Sequence, residues 1–179
     1  MIPETDIPSF SSLPYIPYID NSGQLPEELQ GKIGVYAIFN NDRILQLVGY
    51  SRDIYLSLKQ HLVRQPQNCY WLKFQSIERP NRTLLDNIKN AWIAENQTMP
   101  SGNDVDEAKW NQPIDARVDM TDEERDRYSS LDELGQSKLL KNIARRVEEK
   151  ILIELKSRGV LVEIRFNPKL KESGLLDLK

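Results

Sequence analysis

The spacing of apolar positions changes several times along this chain, and each change marks an expected element. Ile33-Gly34-Val35-Tyr36-Ala37-Ile38-Phe39 is a continuous apolar run of strand length. Asn40-Asn41-Asp42 is turn material, and Arg43 through Gly49 reads as a second strand, so the pair predicts an antiparallel hairpin. Leu56, Leu58, Leu62 and Val63 form the apolar side of a helix with Asp53 near its start, where a carboxylate is favourable. Tyr70 through Gln75 reads as a third strand. Leu84, Leu85, Ile88, Trp92 and Ile93 recur at helical spacing within Thr83–Glu95, and Met99 through Asn103 ends that unit. After a polar connection over 104–120, Thr121 and Glu124 make a capping-box pattern. Leu140, Ile143, Val147, Ile151 and Leu155 step by three and four along one helix face, and Gly159 closes that helix. Val160, Val162, Ile164 and Phe166 then alternate with Leu161, Glu163 and Arg165 as a half-buried strand that Pro168 stops.

The class this implies is α+β. The 179 residues suit one ordinary domain with extensions, divided at the composition shifts into 1–30, 31–103 and 104–179. The first segment holds Pro3, Pro8, Pro14, Pro17 and Pro26 and should be extended. It also carries Phe10, Leu13, Tyr15, Ile16, Tyr18 and Ile19, too apolar a set for a disordered tail, so part of it should lie on the body of the protein. The last segment reads as a helical extension ending in a strand.

Composition narrows the chemistry. No apolar run approaches the ~18 residues of a membrane span. Met1 through Asp6 has neither a basic residue nor an apolar core, so a soluble, cytoplasmic protein is expected rather than a secreted one. One cysteine, Cys69, excludes an intramolecular disulfide framework and a cysteine-based zinc site, and one histidine, His61, leaves little for histidine-rich metal chemistry. The formal charge of -3 is unevenly spread: five acids and no Lys or Arg in 1–30, nine bases against five acids in 31–103, and fifteen bases against seventeen acids in 104–179. The middle third is thus locally basic, either a phosphate-facing surface or a chance spacing of solvated charge.

Gly34-Val35-Tyr36, ten residues, then Leu47-Val48-Gly49 resembles the paired tripeptides of the GIY-YIG nuclease family. Tyr50 through Ile54 resembles the polar turn into that family's first helix, Leu58 through Leu62 resembles the helix with its terminal histidine, and Pro100 through Asn103 resembles the closing Pro and Asn. The resemblance covers about residues 32–103, and the Ser-Arg-Asp…Ser-Leu…His form is similar to a branch associated with oxygenic phototrophs and their plastids. It implies a small three-stranded antiparallel sheet flanked by helices, with an N-terminal extended segment and a C-terminal helix–strand extension outside it. In active members it implies metal-dependent phosphodiester hydrolysis, using two tyrosines, a helix arginine and a metal-holding glutamate.

Carried over residue by residue, Tyr36, His61 and Asn103 match the pattern. Leu47 replaces the second tyrosine, Ser57 stands in the arginine's place, and Ile88 or Lys89 stands in the glutamate's. The resemblance therefore implies a nuclease fold with a decayed site: Tyr36, His61 and Asn103 as catalytic remnants, Arg52, Lys59 and Arg64 as candidate nucleic-acid contacts, and no metal ligand or cofactor. Such a protein would bind a protein or nucleic-acid partner. The alternative is an active DNA endonuclease using Mg²⁺ or Mn²⁺, with Arg52 or Arg64 for the arginine and Asp86 or Glu95 on the metal. A third reading is a structural subunit. The residues also allow plain roles: Tyr36 as a strand tyrosine with a wet hydroxyl, His61 capping helix carbonyls, Trp71 and Trp92 in the core, and Cys69 as a small buried residue. Oligomeric state is left open.

Overall fold

The computed structural model describes residues 7–179. Residues 1–6, including Pro3, on which the cytoplasmic expectation rests, lie outside the described residues. The chain forms two compact units, the first ending at Asn111 and the second running Gln112–Lys179. The class is α+β.

In the first unit, β2 (Ile33–Phe39) and β3 (Leu45–Ser51) pair as the expected antiparallel hairpin, with Tyr36 opposite Gly49 and a register shift at Ile38/Phe39. The second strand begins at Leu45 rather than Arg43. Asn40 Oδ1 accepts from the Asp42 and Ile44 amides, and Arg43 takes a left-handed φ of 61°, which removes it from the ladder. β4 (Trp71–Ile77) pairs with the other side of β2. Gly34 is obligatory there, since a Cβ would strike the Gln75 carbonyl.

The sheet has four strands, not three. β1 (Ile16–Pro17) joins the free edge of β4, giving the order β1-β4-β2-β3, antiparallel throughout. Proline hid this strand from periodicity, because it tolerates a two-residue edge strand while breaking any longer pattern.

Helices cover both faces. α1 (Ile54–Arg64) is capped by the Asp53 side chain, which accepts from the Leu56 amide at 3.2 Å. It buries Leu58, His61, Leu62 and Val63, while Leu56, expected on the apolar side, is 56% exposed. On the other face α2 (Arg82–Asn96), capped by Asn81, lays Leu84, Leu85, Ile88 and Trp92 against Val35, Ala37, Phe39 and Val48.

The proline-rich segment completes this second layer. Phe10 stacks between Phe39 and Trp92, with ring centroids 5.7 and 5.3 Å away. Lys73, pointing into the same layer from β4, is buried. Its Nζ donates to the Phe10 carbonyl at 3.1 Å and lies over the Tyr15 ring at 4.3 Å. Burial pushes its ammonium below the usual lysine range, and Glu95 opposes that. Glu95 fixes the segment from the helix side, accepting from Ser9 Oγ at 2.6 Å, the Phe10 amide at 2.7 Å and the Ser11 amide at 3.0 Å. The Ser9 hydroxyl and these amides hold its carboxyl down at about 2.

In the second unit α4 (Asp122–Ser130) opens with the expected capping box, and α5 (Glu133–Ser157) carries the expected stripe. α3 (Glu107–Asn111) closes the first unit. The short strands β5 (Ile114–Asp115) and β6 (Leu175–Leu176) pair in the second, where α6 (Pro168–Lys171) is one turn long. The expected strand over 160–166 does not form. Val160, Val162 and Phe166 are buried, yet that stretch makes only an isolated bridge from Phe166 to Leu178. Its alternation records which side chains turn inward, not a ladder. Among the described residues no helix is long and apolar enough to cross a membrane.

Glu95→Gln should loosen the N-terminal segment. The Phe10 and Ser11 amides should exchange faster, and stability should fall by ~1 kcal/mol or less at this exposed site. The carboxylate's contribution is present above about pH 4.5 and lost as pH falls toward about 2. Hydrogen exchange at pH 7 and pH 3 in both proteins checks this; equal protection in wild type and variant at pH 7 would remove Glu95 as the anchor.

Candidate functional site

Three elements of the first unit meet at one imidazole. β2 supplies Tyr36, the last turn of α1 supplies His61, and α3 supplies the Trp110 carbonyl. Tyr36 Oη lies 2.9 Å from His61 Nε2, and His61 Nδ1 lies 3.0 Å from the Trp110 oxygen. A carbonyl oxygen only accepts, so Nδ1 carries the proton, Nε2 accepts, and the Tyr36 hydroxyl donates. Arg64 Nη1 donates to the same Trp110 oxygen at 2.9 Å. Burial, then the nearby Arg64 charge, pushes His61 down to about 4. Burial pushes the Tyr36 phenol up to about 12, although a hydrogen bond from Ser57 and the Arg64 charge pull the other way. Tyr36 is thus held as a neutral donor, the reverse of what a general base requires.

Gly49 makes room for this arrangement: a Cβ there would lie 2.7 Å from the Tyr36 hydroxyl. Asn103 clamps the outer edge of the sheet. Its Oδ1 accepts from the Val48 amide and its Nδ2 donates to the Val48 carbonyl, both at 2.8 Å, so its amide acts as one more residue of backbone beside edge strand β3. Gly102 permits the approach, since a Cβ would lie 2.6 Å from the Gln46 carbonyl and 2.9 Å from Trp110 Cδ1.

These constraints shape a cleft of about 230 Å³, bordered by Tyr36, Gly49, Tyr50, Lys89, Asn103, Glu107 and Asn111. Of the residues singled out from sequence, Tyr36 and Asn103 line it and His61 supports it from behind. Leu47 also lines it, while Arg52, Lys59, Arg64, Asp86 and Glu95 do not. Arg52 is exposed before α1 and Lys59 is half-buried on it. Arg64 is engaged at Trp110, and Glu95 holds the N-terminal segment. Among the described residues no group of three or more His, Cys, Asp or Glu side chains could hold a metal ion.

Sequence reasoning missed Lys89 and Glu107. Lys89, noted only as a residue unable to bind a cation, brings an ammonium to the cleft, 5.8 Å from the centre of the Tyr50 ring. Glu107 follows the closing turn at Asn103, in the acidic run Asp104-Val105-Asp106-Glu107, and that run was the available signal. Cys69 is fully buried, with Sγ 3.6 Å from the His61 carbonyl.

No family model matches the chain. It is similar to a bifunctional, chloroplastic monothiol glutaredoxin of Arabidopsis thaliana, 35% identical over 74 residues, covering 39% of this chain and 25% of that protein. The chain thus spans about a quarter of its relative's length. The GIY-YIG assignment is corrected accordingly: the relative is named for glutaredoxin rather than nuclease chemistry, and no nuclease family model matches. The decayed-nuclease and active-endonuclease readings are withdrawn with it, along with the phototroph branch of that family. The geometry bears on the active-endonuclease reading alone: Tyr36 is held as a donor, and Asp86 and Glu95, put forward for a metal, stand outside the cleft.

The neutral imidazole makes the first unit acid-sensitive. The unfolded chain takes up a proton near pH 6.5 and the folded one near 4, so stability is lost as pH falls between these values, by ~3 kcal/mol in all. In His61→Gln this component should vanish. Urea midpoints at pH 7.5, 5.5 and 4.5 for both proteins measure it, and parallel pH slopes would rule out His61 as the source.

Proposed function

We propose that this chain is a non-thiol binding module, related to a part of the bifunctional relative that does not perform its monothiol chemistry, and that its ligand is a small zwitterion seated beside Tyr36. The observation that carries the reading is the pairing of opposite charges in one polar cleft. Lys89 and Glu107 both border it. A ligand carboxylate would satisfy the Lys89 ammonium, and a ligand ammonium would satisfy Glu107. Tyr36 spends its proton on His61 but keeps acceptor capacity on its oxygen, and Asn111 adds an amide.

Size supports the same class. A cleft of about 230 Å³ equals the volume of roughly seven or eight waters. That suits a molecule of on the order of ten heavy atoms, not a polymer segment. Thiol exchange is disfavoured because it needs an accessible thiolate, and the single cysteine is 0% exposed.

Calorimetric titration with free serine and glutamate, against acetate and methylamine as single-charge controls, tests this. Zwitterions should bind more tightly than either control. Lys89→Ala and Glu107→Gln should each weaken binding by about tenfold, or ~1.4 kcal/mol. Unchanged affinity in both variants, or equal binding of the controls, would exclude the charge-paired cleft. A fast-reacting thiol in the native protein would separately overturn the non-thiol reading.

A further inference from the structure

α5 has a second face. Its buried side is built from Leu140, Ile143, Ala144, Ile151 and Leu155. On an α-helix, at about 100° per residue, Arg145, Glu149, Leu152, Ile153 and Lys156 fall on the opposite side. Leu152 is 39% exposed and Ile153 61% exposed, and together with the flanking charged stems they border a shallow depression of about 330 Å³. Glu148, at the same rim, is taken up by an ion pair with Lys171 inside its own unit. Solvated helix faces usually carry charge alone, and two adjacent large aliphatics at this spacing call for a partner.

The order of charges indicates which partner. From Glu149 onward the face reads acid, two aliphatics, base: Glu149, Leu152-Ile153, Lys156, with Arg145 one turn before the pattern. A two-fold axis between Leu152 and Ile153 maps this pattern onto its own complement. In an antiparallel pair of such helices, Leu152 meets the partner's Ile153 and Glu149 meets the partner's Lys156. Because each contact occurs twice, the centre is apolar and an ion pair closes each end. A parallel pair would set Glu149 against the partner's Glu149 and lose both ion pairs.

We propose that this face of α5 is a self-association surface, on which a second copy of the chain docks antiparallel about a two-fold axis at Leu152/Ile153. With only two exposed aliphatics per copy, the buried area falls below the ~1,200 Å² of stable interfaces, so the dimer is weak and forms as concentration rises.

Sedimentation equilibrium of the full chain from about 10 µM to about 1 mM, at low and high salt, tests this, with circular dichroism confirming the fold of each variant. Wild type should pass from monomer to dimer and dissociate more readily in salt. Ile153→Asp should remain monomeric. Glu149→Lys should weaken association at least tenfold, because it sets two lysines against each other at both ends. Adding Lys156→Glu to that variant should restore it, because the pair is then only exchanged. A wild type that stays monomeric throughout, an association unchanged by Glu149→Lys, or a double variant that fails to recover would each overturn the two-fold pairing.

Discussion

A single neutral imidazole joins the parts of the first unit that shape its cleft. His61 is buried between the Tyr36 hydroxyl on β2 and the Trp110 carbonyl on α3, while riding on α1 itself. Each partner dictates the other's role: the carbonyl demands the Nδ1 proton, and the acceptor left at Nε2 demands the Tyr36 proton. A protonated ring would reverse the Tyr36 bond, with the hydroxyl accepting, and would be a buried cation near the Arg64 charge. The fold therefore depends on a proton being absent, and the same absence orients Tyr36 toward Gly49 and the cleft. Structural polarity of this kind is costly to perturb because the groups lie where water cannot replace a lost partner.

The opposite face of the sheet is stabilised by a different means. Lys73 brings a cation into an aromatic layer that would otherwise be apolar, and the N-terminal segment supplies the compensation: a carbonyl from Phe10 and the faces of Phe10 and Tyr15. Arg43 extends the pattern outward, 4.6 Å from the centres of both the Tyr15 and Trp71 rings. Cation–π contacts gain strength as water is excluded. Covering Lys73 and ordering the segment are thus one event, with Glu95 as its outer clasp. The segment belongs to the core of this unit, as its aromatic content implied.

Local periodicity made much of this legible. The hairpin, α1, α2, the capping box and α5 follow from apolar spacing and end signals, because those patterns are written in consecutive residues. What escaped has a common cause. β1 exists only because β4 offers an edge, Arg43 leaves its strand because Asn40 closes the turn, and the 160–166 stretch pairs only where Phe166 meets Leu178. Each depends on a specific pairing, local at Asn40 and distant in sequence for the other two, that apolar spacing does not encode. The same holds for the site. Tyr36 and His61 do meet, but their spacing could not reveal that the hydroxyl donates. Asn103 was expected to close the domain; its amide serves the backbone of Val48, and the unit runs on to Asn111. Lys89 and Glu107 share a cleft only after α2 and α3 have docked.

The relation to a glutaredoxin acquires a definite meaning once the cysteine is considered physically. Monothiol chemistry needs a thiolate at the surface with a positive potential to stabilise it. Cys69 instead sits two residues before β4 with no exposed surface, its sulfur against the carbonyl of His61. A thiolate there would face a carbonyl oxygen, which repels it, and it would lose all solvation. Exposing that sulfur would mean opening its contact with the α1 backbone at His61. The similarity, which covers a quarter of the relative, therefore cannot reside in a shared thiol reaction at Cys69. The polar cleft of this unit is bordered instead by one ammonium and one carboxylate, with room left by Gly49 and Gly102 and a neutral His61 behind it.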